Sequence, residues 1–222
     1  MIRIGISVLT LAVLVFFHNA IISLGLKVGL SFTFSKILPY MFQFFAVCLI
    51  IYQVYSQYLM NTSLTMRRLV STLILFGASG IAFAVNPIYE GDFNHEYREI
   101  LLAGENADTF QHGVTMIALP GCPHCYDMLE EMKQVKAIYP ALPMYVLVVN
   151  NDELAREEYE ERSKGKIEVG LFPKSTLLRT IIADGYPNLI YKSNHKSSKI
   201  INWTNRGFGS ASWDYIMEQE GL

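Results

Sequence analysis

The residues best suited to chemistry are Cys122 and Cys125, held two residues apart in Gly121-Cys122-Pro123-His124-Cys125. The preceding run 114–119 is apolar enough for a buried strand, and 126–135 reads as a helix. A cysteine pair in the first turn of a helix that follows a strand is placed for reversible dithiol–disulfide exchange. Backbone N–H groups there have no intrahelical partner and form the positive end of the helix dipole, so they favour a thiolate at Cys122. Pro123 suits the first helical position, because the N–H it lacks would be unpaired there. His124, when protonated, adds positive charge beside the sulfur. In such settings a thiol pKa near 8.5 falls to about 3.5–7.5. A fall to about 4 favours the reduced form by roughly 4 kcal/mol at pH 7, which is about 90 mV toward oxidising for a two-electron couple.

The charges divide the elements that must position this pair. Residues 1–86 hold five basic residues (Arg3, Lys27, Lys36, Arg67, Arg68) and no acidic one. All 20 acidic residues lie in 87–222 against 13 basic ones, a net charge of −7. A hydrophobic, basic half thus precedes an acidic, water-soluble half. An acidic domain without a basic stripe argues against nucleic acid as a partner. Three cysteines are too few for a disulfide-stapled fold. Cys48, the third, is expected to pack as a small apolar residue inside a helix bundle.

The first half reads as about three transmembrane helices, over 4–24, 37–59 and 69–85. A cleaved signal peptide fits the first segment less well, since its apolar core runs too long and no small-x-small site follows. Pro39 stands near the start of the second, and Tyr52, Tyr55 and Tyr58 suit the lipid–water interface at its end. Asn86-Pro87 ends the third. Arg3, Arg67 and Arg68 on the inside put the amino terminus in the cytoplasm and 87–222 on the far side of the inner membrane; Lys27 and Lys36 then face outward, against the rule. His18 and Asn19 are expected to make interhelical hydrogen bonds or to lie near the outer interface. Gly25-x-x-x-Gly29 and the Ala78/Ala82 pair permit close helix contact. With no acidic residue and no cysteine pair, this half reads as an anchor and docking surface.

A polar linker is expected over 87–111, with a short helix over 95–102, and a folded domain over 112–222. Its strands are read at 114–119, 144–149, 188–192 and 199–204. Helices are read at 122–138, 152–163, 174–183 and 210–219, the last capped by Ser210 or Ser212. Glu157, Glu158, Glu160 and Glu161 read as a solvated face. The alternation is an α/β pattern.

This order, with Cys122-Pro123-His124-Cys125 opening the first helix, resembles the thioredoxin fold, a central mixed sheet flanked by helices. The resemblance implies a cis-proline before the third strand, beside the dithiol. Gly185-Tyr186-Pro187-Asn188-Leu189 is the match, with Pro173 as the rival position. It implies that Tyr186 offers its backbone to an extended substrate segment, with Pro123 and Pro187 completing the contact surface. The Pro-His dipeptide resembles the bacterial periplasmic disulfide oxidases of the Dsb type, over about 108–222. Two departures stand out. Only 64 residues separate Cys122 from Pro187, too few for the large helical insertion of those oxidases. Met116 stands where the family often carries an acid that assists proton transfer. The anchor resembles the multi-helix membrane part of MauE/DoxX-type redox-associated proteins.

The resemblance implies a membrane-anchored, extracytoplasmic thiol–disulfide oxidoreductase with Cys122 as nucleophile, Cys125 as resolving thiol and His124 supporting the thiolate. No cofactor beyond the Cys122–Cys125 disulfide is expected. The expected partners are client proteins with cysteines, and a membrane redox partner or a larger complex docked on the transmembrane helices. Two other classes compete. A zinc or copper site would need His112, His124 or His195 beside the cysteines. An accessory subunit of a membrane complex would use the domain only to bind clients. Haem attachment is excluded, because Tyr126 stands where a histidine must follow the second cysteine.

Overall fold

The computed structural model describes residues 2–88, 90–93, 96–102, 109–172, 181–182, 185–194, 199–203 and 207–222. The chain divides into two compact units, Met1–Tyr89 and Glu90–Leu222.

Among the described residues the first unit holds four helices: α1 (Ile2–Phe16), α2 (His18–Lys27), α3 (Phe32–Val54, extended by a π-helical turn over Tyr55–Leu59) and α4 (Leu64–Val85). Phe32–Leu59 and Leu64–Val85 are long and apolar enough to cross a membrane. The span expected over 4–24 is instead broken at Phe17, with α1 and α2 bent by 65°. The carbonyls of a last helical turn lack intrahelical partners, and a bilayer offers no water to supply them. Polar side chains supply them here. Gln43 Nε2 donates to the Leu14 carbonyl (3.3 Å) and lies 3.4 Å from His18 Nδ1. Asn86 Nδ2 donates to the Val15 carbonyl (3.4 Å), and Tyr40 donates to the Asn86 carbonyl (2.6 Å). His18 (2 % exposed) and Gln43 (3 %) therefore mark a break in the first segment.

The other two spans start earlier than their apolar cores, because serines cap them. Ser31 accepts from the Phe34 N–H and Ser63 from the Met66 N–H. Arg67 donates to the Thr62 carbonyl (3.1 Å), the Tyr55 hydroxyl (2.7 Å) and the Met60 carbonyl, closing the α3–α4 turn. Gly25 lies against Ser35, whose Oγ would stand 2.7 Å from an added Cβ; Gly29 has nothing within 4 Å. Cys48 is not packed inside the bundle as expected but exposed. The faces of α3 that meet α1, α2 and α4 carry other residues, among them Gln43, Ala46, Val47 and Ile50.

The second unit is a six-stranded mixed sheet. Its strands are β1 (Tyr97–Leu101), β2 (Gly113–Ala118), β3 (Met144–Val148), β4 (Glu168–Leu171), β5 (Asn188–Lys192) and β6 (Lys199–Trp203), in spatial order β1-β6-β5-β2-β3-β4. β2, β3 and β4 are parallel; β5 runs antiparallel to β2, β6 to β5 and β1 to β6. Helices α5 (Pro123–Ile138), α6 (Glu153–Ser163) and α7 (Ser210–Glu220) complete the described elements. The β6-β5-β2-β3 core, with a helix after β2, one after β3 and one after β6, is the thioredoxin fold. β2 lies fully buried with apolar residues on both sides, as a central strand covered on both faces must.

The expected linker over 87–111, with a helix over 95–102, is corrected. Among its described residues stand a 3-10 turn (Glu90–Asp92) and the edge strand β1. Pairing won over local helical preference: Tyr97 lies opposite Trp203, their rings 6.0 Å apart, and Glu99 meets Lys199 at 2.9 Å. The four-residue edge strand β4 is likewise additional to the expected strands. The expected helix over 174–183 and the rival Pro173 fall almost wholly outside the described residues.

Candidate active site

β2 runs from Gly113 to Ala118 and delivers the chain into a tight turn. There the Leu119 carbonyl accepts from the Cys122 N–H (3.3 Å) and Gly121 takes φ +67°, the left-handed region that favours glycine. Cys122 is the N-cap of α5, with extended backbone (φ −85°, ψ 109°), and its Sγ accepts from the Cys125 N–H at 3.3 Å. Pro123 fills the first helical position. The helix then buries Cys125, Leu129, Met132 and Val135, a stripe at helical spacing. That stripe sets the face on which Cys125 points inward (0 % exposed), leaving Cys122 half-buried and Pro123 and His124 exposed. The two cysteines are joined as a disulfide, their Cα atoms 5.3 Å apart.

The sheet register brings the remaining candidates to the same end. Ile117 on β2 lies opposite Asn188 on antiparallel β5, so the residues preceding Asn188 flank the turn that leads to Cys122. The Tyr186–Pro187 peptide bond is cis. Tyr186 packs against the core cluster, and burial pushes its phenol pKa up. Asn188 and Asn202 both donate to the Ile181 carbonyl (3.1 and 3.0 Å), tying β5 and β6 to the segment ahead of Pro187.

His112 goes elsewhere. It precedes β2, whose six residues carry it about 20 Å from the dithiol end of that strand. There it meets Glu220 at 2.8 Å, and Glu220 also accepts from the Tyr191 hydroxyl. A metal site combining His112 with the cysteines is therefore excluded by topology. His195 falls outside the described residues. Among the described residues no three His, Cys, Asp or Glu side chains converge.

One group beside the turn escaped the sequence reading. Tyr159 is fully buried on α6, and its hydroxyl donates to the Leu119 carbonyl at 3.0 Å. Its ring packs on Tyr126 (5.1 Å), and the Arg162 guanidinium, paired with Glu158, covers Tyr126 at 3.9 Å. Burial, chiefly, pushes the Tyr159 phenol well above its ordinary range. The Glu157–Glu161 run does hold a solvated face, yet Ala155, Tyr159 and Ser163 recur every four residues as the buried face. That spacing is the signal that was available. Tyr159→Phe is expected to cost about 1 kcal/mol, the scale of one hydrogen bond, read as a lowered melting temperature of the full chain. The Leu119 carbonyl keeps the Cys122 N–H as a second donor, which limits the loss.

No family model matches the chain, and no curated protein matches it. Among solved structures it is similar to a secreted Mycobacterium tuberculosis disulfide oxidoreductase homologous to E. coli DsbE, with 14 % identity and a TM-score of 0.38, over 50 % of this chain and 81 % of that one. The second unit of this chain is a thioredoxin fold by its own strand order and register, with a cysteine pair at the start of the helix that follows its central strand.

Proposed function

We propose that the chain is a membrane-anchored thiol–disulfide oxidoreductase that acts, outside the cytoplasm, on cysteines of client proteins. The observation that carries this is the cap geometry of Cys122: a half-buried sulfur at a helix N-terminus already accepts a backbone N–H, with Cys125 buried beneath it. The contact that holds this sulfur is stronger for a thiolate than for a neutral thiol, so it favours the ionised, reactive form.

The exchange balances as follows. A client thiolate attacks the Cys122 sulfur, the Cys122–Cys125 bond breaks, and Cys125 leaves as a thiolate that takes up a proton. The client's second thiolate then attacks its own sulfur in the mixed disulfide and releases Cys122. Two electrons pass to the domain and the client gains a disulfide. The reverse sequence reduces a client. Tyr186 and Pro187, beside the turn, offer the backbone edge along which an extended client segment lies. A membrane redox partner returns the pair to its starting state.

The test uses the full chain in detergent micelles, equilibrated with glutathione buffers and trapped with an alkylating reagent. The expected result is one two-electron couple, with Cys122 of the reduced chain alkylated half-maximally at a pH at least one unit below the ordinary thiol value of about 8.5. A Cys122 no more reactive than free cysteine would overturn the reading. The measured potential then assigns the direction, since about 30 mV corresponds to 1.4 kcal/mol for this couple.

A further inference from the structure

We infer that the cysteine this dithiol meets is carried at the membrane surface, on a membrane-embedded or membrane-tethered protein, and not on a freely diffusing one; this rests on the redox reading above and concerns the client. Two observations carry it. The first is how little chain joins the two units. α4 ends at Val85 and the second unit begins at Glu90, so four residues, 86–89, form the whole connection. Fully extended, the five steps from Val85 to Glu90 reach about 18 Å.

The second is where the connection is fastened. Gly91 and Gly209 pack backbone to backbone. A Cβ on Gly91 would stand 2.5 Å from the Phe208 carbonyl, and one on Gly209 would strike the carbonyl of Gly91. The Asp92 carboxylate (4 % exposed) accepts from the Ser210 hydroxyl (3.1 Å) and N–H (3.4 Å). It therefore caps α7, whose own N-cap, Gly209, has no side chain to do so. Neither Ser210 nor Ser212 is the cap expected from the sequence. The tether is thus held at the start of α7, where the Phe208 ring lies 5.5 Å from that of Trp203, the last residue of β6.

β6 runs antiparallel to β5, and β5 antiparallel to β2, so the C-terminal ends of β6 and β2 lie at the same end of the sheet. Cys122 follows β2 at that end. Two strand spacings separate β6 from β2, about 10 Å. The dithiol therefore stands at the end of its domain to which the short connection is fastened. A thiol on a soluble protein must come to it; a thiol held at the bilayer is already within reach, at the high effective concentration of a short tether.

The experiment places the full chain in phosphatidylcholine–phosphatidylglycerol vesicles and counts outward-facing copies with a membrane-impermeant alkylating reagent. The probe is a two-cysteine peptide joined to a palmitoyl chain through a five-residue spacer in the same vesicles, compared with the same peptide without the lipid. The expected result is at least tenfold faster exchange with the anchored peptide at equal total concentration. A 20-residue Gly/Ser insertion between Asn86 and Pro87 lengthens the tether about fivefold, and should slow the anchored reaction roughly tenfold, as effective concentration falls with the −3/2 power of length. The free-peptide rate should stay unchanged. Exchange with the free peptide but no advantage for the anchored one, or an insertion that leaves the anchored rate unchanged or raises it, overturns the inference while sparing the redox reading. Absence of exchange with either peptide overturns both.

Discussion

Cys122→Ser is expected to abolish exchange by the full chain, with a loss on the order of 10³-fold or more, the scale of removing a reaction's nucleophile. The substitution is informative because it spares the fold. Cys122 is the N-cap of α5, and serine is among the preferred N-cap residues, so its hydroxyl can take over the Cys125 N–H that the sulfur now accepts. The disulfide closes only a three-residue separation, so its removal gives the unfolded chain little extra freedom. Cys122→Ser should therefore melt within a few degrees of the reduced parent while failing to exchange thiols with glutathione or a cysteine peptide. Cys125→Ser should behave differently. It keeps the attacking sulfur and loses the group that resolves the intermediate, so a Cys122-linked adduct should accumulate and survive non-reducing electrophoresis. Exchange retained by Cys122→Ser would show that another group carries the chemistry.

Trp213→Ala should bring the largest loss of stability, about 3–5 kcal/mol, as expected for emptying a buried tryptophan site. Trp213 is 1 % exposed, packs edge-on against Phe208 (ring centroids 5.0 Å apart), and donates from Nε1 to Glu131 at 2.7 Å. It joins α7 to α5, the helix that begins at the cysteines. Truncation leaves a cavity under the dithiol helix and removes the indole donor to Glu131. For a unit of this size the loss corresponds to roughly 10–20 °C in melting temperature. Both tryptophans of the chain, Trp203 and Trp213, lie in the second unit, so the fluorescence of Trp203 reports that unit's unfolding in the intact Trp213→Ala protein. Trp213→Phe keeps most of the apolar volume and should lose clearly less. Equal losses for the two substitutions would assign the effect to the Glu131 hydrogen bond and not to packing.

Some of this architecture was legible because its causes are local. The absence of acidic residues before Glu90 marks the apolar helical half, and the apolar runs at 114–119 and 144–149 mark the central strands. The cysteine pair sits at the helix start that the following buried stripe defines. Pro187 ahead of a hairpin is a local pattern too, and the register then sets it beside the Cys122 turn. Each of these signals lies within about ten residues, the range over which periodicity and capping act.

What tertiary structure decided involves partners far apart in sequence. β1 is a strand because it pairs with β6, about a hundred residues later, and nothing within 95–102 announces that partner. The α7 cap comes from Asp92, 118 residues upstream, across a contact only two glycines allow. The bend at Phe17 is stabilised by Gln43 and Asn86, on and beyond other helices, so the segment read alone passes for one continuous span. Tyr159 looked like one residue in a charged run until the fold set the Leu119 carbonyl beside it. The sequence by itself determined the cysteine pair, the helix it caps and the division of the chain. Only the packed sheet determined which stretch is linker and which is strand, and which end of the domain the tether holds. The reason is physical: hydrophobic period and helix capping are properties of neighbouring residues, whereas strand pairing and backbone contact exist only once distant segments meet.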